Sequence, residues 1–269
     1  MGIELYNIVQ TLEKVHWTNP YRLLTNICNS FGYTIPKSWC DTLKELYDIL
    51  SLKVKDHEIE IHERWYIILW EKNSINYETE IWQWAIIAWN VSINHSVKPS
   101  VIWTGSYLKD CRIIESSIDQ WVIIEWWNYT NITNSTIWKN TVLFGWARIR
   151  DSKIWEENEI GYGEFVRTTT WKLMKALHSC YLWDTDVWDN VNIANQFGIV
   201  NSWPGGIKSK TIIWNNVFTW GGARIVPWKK WVKVWNWAII AAWSTVLCDI
   251  PENHTYISKN KIYPYLKKI

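Results

Sequence analysis

The sequence predicts a left-handed parallel β-helix that follows a short helical segment. The main observation is a six-residue period of branched aliphatic residues, seen clearly in Val187, Ile193 and Ile199. This period matches neither a strand nor a helix, but it matches one short strand plus one corner of a triangular coil. The period runs from Leu69 to Val246. At three units per coil, this stretch predicts roughly nine or ten coils.

The chain is expected to divide into three parts. Residues 1–66 form a helical segment, because Leu5, Ile8, Val9 and Leu12 follow the spacing of an amphipathic helix. Residues 67–258 form the β-helix domain, and residues 259–269 form a polar C-terminal tail. Since a β-helix has open strand edges at both ends, the helical segment and the tail are expected to cap them.

Composition excludes several classes of protein. The net charge of +2 does not suit a nucleic-acid binder, and no apolar run approaches the length of a membrane span. The first fifteen residues lack the basic and apolar regions of a signal peptide. Five widely spaced cysteines without a CxxC motif favour reduced thiols. These features predict a cytoplasmic protein that binds neither nucleic acid nor membrane.

Tryptophan is unusually abundant, with 25 residues against 11 glycines. Several tryptophans directly follow the Ile or Val that opens a six-residue unit: Trp82, Trp103, Trp138, Trp155, Trp188, Trp214 and Trp235. Trp89 and Trp243 are expected at comparable corners. A tight corner with positive φ favours Gly, Asn or Asp and would strain an indole-bearing residue. We therefore predict that many of these tryptophans stand for glycine, encoded by UGA codons that the native host reads as glycine. The alternative is a truly tryptophan-rich surface that stacks on sugars or single strands.

The six-residue phase is lost near residues 125–129, 167–179, 201–210 and 227–233. Such interruptions are expected to be loops that gather on one side and carry function. His178 lies in the second interruption, and a neutral imidazole is a suitable general base. A surface histidine without a catalytic role is the alternative. The fourth interruption contains Lys229, Lys230 and Lys233, either as a solvated loop or as a site for the phosphates of coenzyme A.

The residues from Ala147 to Ser258 resemble a known family. The matching text is ARIR, HSCYLWDTDVWDNVNI, the loop that begins VNSW, KSKTIIWNNVF, AAWSTV and DIPENHTYIS. In this order the motifs resemble the C-terminal acetyltransferase domain of bifunctional glucosamine-1-phosphate N-acetyltransferase/N-acetylglucosamine-1-phosphate uridylyltransferase (GlmU), within the hexapeptide-repeat acyltransferases.

The resemblance implies an acetyl-CoA-dependent N-acetyltransferase that needs no metal for acetyl transfer. The family forms homotrimers with active sites between adjacent β-helices and acts on glucosamine-1-phosphate in UDP-N-acetylglucosamine biosynthesis, which supplies the cell envelope. By motif position, His178 is the general base. The substrate-binding positions are Arg150, Tyr181, Asn192, Asn201 and Lys210. The positions expected to lie against the acetyl donor are Gly221 and Ala242. Lys230, from the basic interruption and not from the family motifs, is the candidate for binding the phosphates of coenzyme A.

The chain departs from the family in three places. Thr168, Thr169 and Thr170 occupy the position of a family lysine, which the adjacent Arg167 could replace. Ser202 replaces a tyrosine, and Gly221 replaces a serine. Residues 1–66 are also too short for a uridylyltransferase domain. Two alternatives stay open: a hexapeptide acyltransferase for another acceptor, such as a nucleotide-linked amino sugar, and a non-catalytic β-helix binding module.

Overall fold

The three-dimensional structure is a computed structural model. It describes residues 59–61, 67–69, 73–76, 78–82, 85–87, 90–95, 97–103, 105–125, 129–200, 209–227, 231–258 and 261–264. The described strands are β1 Ile59–Ile61, β2 Ile67–Leu69, β3 Ser74–Ile75, β4 Glu80–Ile81, β5 Ile86–Ile87, β6 Val91–Asn94, β7 Val101–Ile102, β8 Tyr107–Leu108, β9 Cys111–Ile114, β10 Ser117–Ile118, β11 Ile123–Glu125, β12 Thr130–Thr133, β13 Thr136–Ile137, β14 Val142–Phe144, β15 Ala147–Arg150, β16 Lys153–Ile154, β17 Glu159–Ile160, β18 Gly163–Val166, β19 Thr169–Thr170, β20 Lys175–Ala176, β21 Cys180–Trp183, β22 Thr185–Val187, β23 Phe197–Ile199, β24 Thr211–Ile213, β25 Phe218–Thr219, β26 Arg224–Ile225, β27 Val232–Val234, β28 Ile239–Ile240, β29 Thr245–Val246, β30 His254–Ile257 and β31 Lys261–Pro264.

The strands form the three faces of a parallel β-helix. One face is a ten-stranded sheet from β3 to β29, and the second is a nine-stranded sheet from β4 to β27. The third face consists of an eight-stranded sheet from β1 to β20 and a four-stranded sheet from β25 to β31. Asn192 joins these two parts by bridging Lys175 and Phe218. Ten strands in the longest sheet agree with the predicted number of coils.

Inward side chains of successive coils pack on one another inside the prism. On the ten-stranded sheet, Ile132, Ile149, Phe165 and Leu182 lie in register on neighbouring strands, and all four are fully buried. Burial of such rows of aliphatic and aromatic side chains is the main stabilising term of the fold. These rows of buried side chains are the reason for the six-residue period in the sequence.

A row of buried hydroxyl groups stabilises the corner between the ten-stranded and nine-stranded sheets. The backbone N–H of Ser152 donates to Ser135 Oγ at 3.1 Å, and the N–H of Thr168 donates to Ser152 Oγ at 3.0 Å. The Ser152 hydroxyl in turn donates to the Arg150 carbonyl oxygen at 2.7 Å. Because these buried polar groups are hydrogen-bonded, they tie each coil to the next without a desolvation penalty. They also fix the backbone at Arg150.

Residues 167–179 do not form the predicted loop. Thr169 pairs in register with Lys153, and Lys175 pairs with Glu159, so the coil continues through this stretch. The hydrophobic phase is lost because Thr170, which is buried and in register with Ile154, takes the position of an aliphatic residue. Thr168 continues the row of buried corner hydroxyls. An insertion does interrupt the repeat after residue 200, since Thr185 pairs with Thr211 across 26 residues, compared with 17 between Thr169 and Asp186.

Both ends of the described β-helix carry antiparallel strands. Strand β1 pairs antiparallel with β2, although its residues lie inside the segment 1–66 that was expected to be helical. The helices predicted before residue 59 lie outside the described residues. At the other end, β31 pairs antiparallel with β30, so part of the predicted tail covers a strand edge. Within the described ranges, no helix is long and apolar enough to cross a membrane.

The tryptophans occupy two kinds of corner position. Six of them stack from coil to coil beside the nine-stranded sheet, and we call them the tryptophan column: Trp138, Trp155, Trp171, Trp188, Trp214 and Trp235. Their centroids lie 4.5–6.4 Å apart. The seven tryptophans that follow an Ile or Val do not have a positive φ, so the strain expected at those corners was wrong. It is confirmed at Trp243, where φ is 57°, and positive φ also occurs at Trp121 and Trp237, at 56° and 59°.

Candidate active site

A surface cleft of about 570 Å³ opens beside the ten-stranded sheet. It lies at the corner where the chain enters strands β15, β18, β21 and β23. The residues that line it are Trp146, Tyr162, Gly163, Glu164, His178, Ser179, Cys180, Tyr181, Asn195, Gln196, Phe197 and Gly198.

One side of the cleft is built from equivalent corner residues of four successive coils, which we call the cleft corner: Trp146, Tyr162, Ser179 and Gln196. Backbone hydrogen bonds set their spacing. The N–H of Gly163 donates to the Trp146 carbonyl at 3.0 Å, and the N–H of Cys180 donates to the Tyr162 carbonyl at 3.1 Å. Sequence analysis missed Trp146 and Tyr162, although their 16-residue separation is one coil and could have aligned them with Ser179.

His178 is exposed because its corner is one residue longer than the two corners before it. Two residues separate β17 from β18, whereas Leu177, His178 and Ser179 separate β20 from β21. The imidazole has no hydrogen bond or ion pair with any residue in the described ranges. A histidine with both ring nitrogens free can accept a proton from a group bound in the cleft.

Tyr181 lies on β21 and faces the cleft together with His178. Burial, followed by the nearby Glu164 carboxylate, raises the pKa of Tyr181 to about 12. The phenol is therefore protonated near neutral pH and can donate a hydrogen bond to a ligand. Its ring also contacts Trp183, with the ring centroids 4.8 Å apart.

The cysteine beside the histidine points into the coil and not toward the ligand. Burial raises the pKa of Cys180 to about 12, so its thiol is not a ready nucleophile. A Cβ placed on Gly163 would lie 2.8 Å from the Cys180 sulfur, which shows how closely the two residues pack. The structure agrees with a packing role for Cys180.

The two arginines considered for phosphate binding differ in their surroundings. Arg167 makes a bidentate pair with Asp184, with distances of 2.6 Å from Nε and 2.8 Å from Nη2, and this hydrogen bonding raises the pKa of Arg167. Its charge is thus matched within the protein. Arg150 Nε lies 3.8 Å from the Asp151 carboxylate and forms no hydrogen bond with a described residue. Arg150 flanks Tyr181 but does not line the cleft.

The remaining predicted residues are spread over the molecule. Asn192 lies on the third face, and Lys210 forms an ion pair with Asp186 at 2.6 Å. Gly221 and Ala242 each lie one residue before the positions that continue the cleft corner, which are Gly222 and Trp243 by strand register. Asn201 and Lys230 lie outside the described residues. The structure therefore brings together His178 and Tyr181, with Arg150 beside them.

Comparisons with known proteins point to one group. The chain is 34% identical over 137 residues to the bifunctional protein GlmU of Aquifex aeolicus, a match that covers 50% of this chain and 28% of that protein. It is 34% identical over 154 residues to the bifunctional protein GlmU of Thermosipho melanesiensis, covering 56% of this chain and 32% of that protein. These matches confirm the resemblance to GlmU over about half of the chain. The chain spans about three tenths of the length of these relatives.

Solved structures give weaker matches, and no family profile matches the chain. UDP-N-acetylglucosamine acyltransferase of Francisella novicida is 15% identical, with a TM-score of 0.37, and the match covers 75% of this chain and 67% of that chain. Perosamine N-acetyltransferase of Caulobacter crescentus is 14% identical, with a TM-score of 0.18, over 81% of this chain and 64% of that chain. Because these TM-scores are low, the structural matches carry no functional argument. The function is therefore proposed from the sequence similarity and the geometry of the site.

Proposed function

We propose that this protein is an acyltransferase that moves the acetyl group of acetyl-CoA to the amine of an amino-sugar phosphate. Glucosamine-1-phosphate is the proposed acceptor and N-acetylglucosamine-1-phosphate the product, which would place the reaction in the cytoplasmic synthesis of UDP-N-acetylglucosamine for the cell envelope. The observation that carries the proposal is the free imidazole of His178 at an aromatic cleft. The similarity to GlmU supports the same chemistry.

In the proposed reaction, the amine nitrogen attacks the thioester carbonyl carbon while His178 accepts the proton that the amine loses. A C–N bond forms and the C–S bond breaks. The proton held by His178 then leaves with the thiolate as free coenzyme A. Tyr181, protonated at neutral pH, donates a hydrogen bond that holds the sugar. Backbone N–H groups of a corner are the proposed donors to the oxyanion.

The surroundings of the cleft suit both substrates. The exposed rings of Trp146 and Tyr162 offer apolar faces to a sugar ring. Along the same corner, the small residues Gly221 and Ala242 leave the backbone accessible to the pantetheine arm of acetyl-CoA. Lys230 is proposed to bind the phosphates of coenzyme A. A homotrimer is proposed on the similarity to GlmU alone.

The test is the release of free coenzyme A from acetyl-CoA and glucosamine-1-phosphate. We expect His178→Ala to lower kcat by about 10²- to 10⁴-fold, the usual contribution of a general base. The matched control is His254→Ala, because His254 lies away from the cleft and its Nδ1 is 2.7 Å from the Glu252 carbonyl oxygen. If His178→Ala keeps wild-type turnover, His178 is not the base.

A different acceptor is the second candidate, and one observation favours it. The threonines that replace the family lysine pack inside the coil, with Thr168 Oγ1 donating to the Leu182 carbonyl at 2.9 Å and Thr170 fully buried. No cation stands at that position to bind the family's phosphate. Turnover with a nucleotide-linked amino sugar and none with glucosamine-1-phosphate would establish this candidate.

A non-catalytic binding module is the third possibility. In a binding module, His178→Ala would leave ligand affinity unchanged and wild-type protein would release no coenzyme A. Measuring affinity and turnover on the same preparations separates this possibility from both enzymes.

A further inference from the structure

The cleft lies where the corner that leads into the ten-stranded sheet becomes longer. In the two coils before His178 this corner has two residues, 145–146 and 161–162. In the coil of His178 it has three residues, 177–179, and in the next coil it again has three, 194–196. The chain therefore takes a wider path from residue 177 onward, and the two kinds of corner meet between Gly161 and Leu177.

Gly161 begins the last of the short corners, and Leu177 takes the equivalent position one coil later. The N–H of Gly161 donates to the Ala176 carbonyl oxygen at 2.9 Å, which brings the two corners together. A Cβ on Gly161 would overlap the Leu177 carbonyl oxygen and lie 2.7 Å from the Leu177 carbonyl carbon. Both are backbone atoms, so no side-chain rotation relieves the overlap. The missing side chain of Gly161 is the space that the longer corner occupies.

This need for glycine is specific to the step between the two kinds of corner. One coil earlier, Gly145 has a φ of 94°, and a Cβ on it would meet only the ring of Tyr162, at 3.1 Å. Later on the same line, Leu177 and Ala194 both carry side chains. Gly161 does not have a positive φ, so its backbone conformation does not require glycine. The close approach of the Leu177 backbone is therefore the reason for glycine at this position.

The longer corner carries His178, and contacts on both sides fix its path. After the histidine, the N–H of Cys180 donates to the Tyr162 carbonyl oxygen at 3.1 Å. Before it, the Leu177 carbonyl group packs against Gly161. The imidazole makes no hydrogen bond or ion pair within the part of the chain that the structure describes, so its place in the cleft depends on the backbone of this corner.

We propose that Gly161 is a positioning residue for His178. This assignment rests on the proposed function, in which His178 accepts a proton from the acceptor amine. Such a transfer needs a heavy-atom separation of about 2.6–3.2 Å. Because ordinary carbon–carbon contacts lie at about 3.5–4.0 Å, a methyl group at residue 161 would push the Leu177 backbone away by about 1 Å. A shift of this size takes the base out of its working distance.

The first test adds that methyl group. We expect Gly161→Ala to lower kcat by about 10- to 100-fold while both KM values change little, because the base is displaced and the binding groups stay in place. The matched control is Ile118→Ala, which truncates a fully buried side chain of β10 that does not line the cleft. Both variants lose stability, but the control should keep the wild-type kcat at a temperature where each is folded. Equal losses of kcat in the two variants overturn the proposal.

The second test asks whether Gly161 acts through His178. We expect Gly161→Ala to have no further effect on the residual turnover of His178→Ala, since a base that has been removed cannot be displaced. A substitution that only weakened the fold would lower the residual turnover again. An additional loss of about 10-fold in the double variant therefore overturns the proposal.

A crystal structure of Gly161→Ala separates failure of this proposal from failure of the proposed function. We expect residues 177–179 to lie about 1 Å farther from residue 161 than in the wild type, with β18 and β21 still paired. A displaced corner supports the proposal and an unmoved corner overturns it, whether or not the wild type acetylates glucosamine-1-phosphate. If Gly161→Ala does not fold, it is added to Leu177→Gly, whose glycine lets the carbonyl group turn away. The same shift and the same loss of kcat are then expected relative to Leu177→Gly.

Discussion

Two corners of the β-helix differ in whether their side chains leave space for a ligand. In the tryptophan column one side chain recurs from coil to coil, and the rings stack at 4.5–6.4 Å. In the cleft corner the side chain changes with each coil, from Trp146 and Tyr162 to Ser179 and Gln196. Each indole of the column has its face covered by the next. At the cleft corner a large ring is followed by a small hydroxyl, which leaves a recess.

The difference indicates that the proposed functional site lies where the repetition of side chains stops. The backbone hydrogen bonds continue through both corners. What changes at the cleft is side-chain volume and one added residue, which places His178 outside the coil. A ligand in the proposed site would therefore meet a wall of hydrogen-bonded strands with a recess.

The largest expected effect comes from two glycines near the cleft that differ in how closely other atoms approach them. We expect Gly161→Ala to lower the free energy of unfolding by about 1–3 kcal/mol or more, because overpacking forces backbone shifts. The Cβ would lie 2.2 Å from the Leu177 carbonyl oxygen, in the corner that holds His178. Gly198→Ala should leave stability unchanged or raise it by about 0.4–1 kcal/mol. Chemical denaturation of both variants checks this, and equal losses would show that the cleft walls are not held as described.

A smaller effect should separate the two kinds of tryptophan. We expect Trp237→Gly to leave stability unchanged or raise it by up to about 1 kcal/mol, because a left-handed conformation disfavours a residue with a Cβ. Trp188→Gly should lower stability by about 1–3 kcal/mol, since it removes the stacking on Trp171 and Trp214. Thermal unfolding of the two variants measures the sign of each change in stability. Two losses of equal size would remove the distinction between strained and stacked corners.

The same positions test whether glycine is the native residue. Peptide masses of the protein from its native host distinguish glycine from tryptophan directly. Glycine at 121, 237 and 243 would fit the positive φ found there. Tryptophan at 188 and 214 would contradict recoding and leave the stacked column as a native feature.

The smallest effect concerns a surface ion pair beside the tryptophan column. Glu156 lies 2.9 Å from the Lys172 amine and 3.6 Å from the Lys139 amine, and the Lys172 hydrogen bond lowers the pKa of Glu156 below 4.5. A lowered folded-state pKa means that the stabilisation is present above pH 4.5 and is lost as pH falls through the folded value. We expect Glu156→Gln to cost about 0.5–1 kcal/mol at pH 7. Urea unfolding should show a smaller difference between variant and wild type at pH 3 than at pH 7.

The cleft could be predicted from the sequence only in part. His178 and Tyr181 carried a recognisable motif, and the structure places both on one cleft. Trp146, Glu164 and Gly198 belong to no recognisable motif. Each lines the cleft only because strand pairing places it beside residues of the next coil. The interruption inferred at residues 167–179 was wrong for a related reason. Thr170 takes the buried position in register with Ile154, and its hydroxyl accepts a hydrogen bond from Asn158 Nδ2, so the coil is not broken.

The sequence by itself determined the parallel β-helix and the number of its coils, because a six-residue spacing of aliphatic residues can bury its side chains in only one way. It also determined the similarity to GlmU. The tertiary structure alone decided which outward residues share the cleft. Outward side chains vary from coil to coil, so they produce no periodic pattern in the sequence. Which of them are neighbours depends on the strand register, which is 16 or 17 residues per coil in this region. This register places Tyr181 beside Glu164 and Gly198.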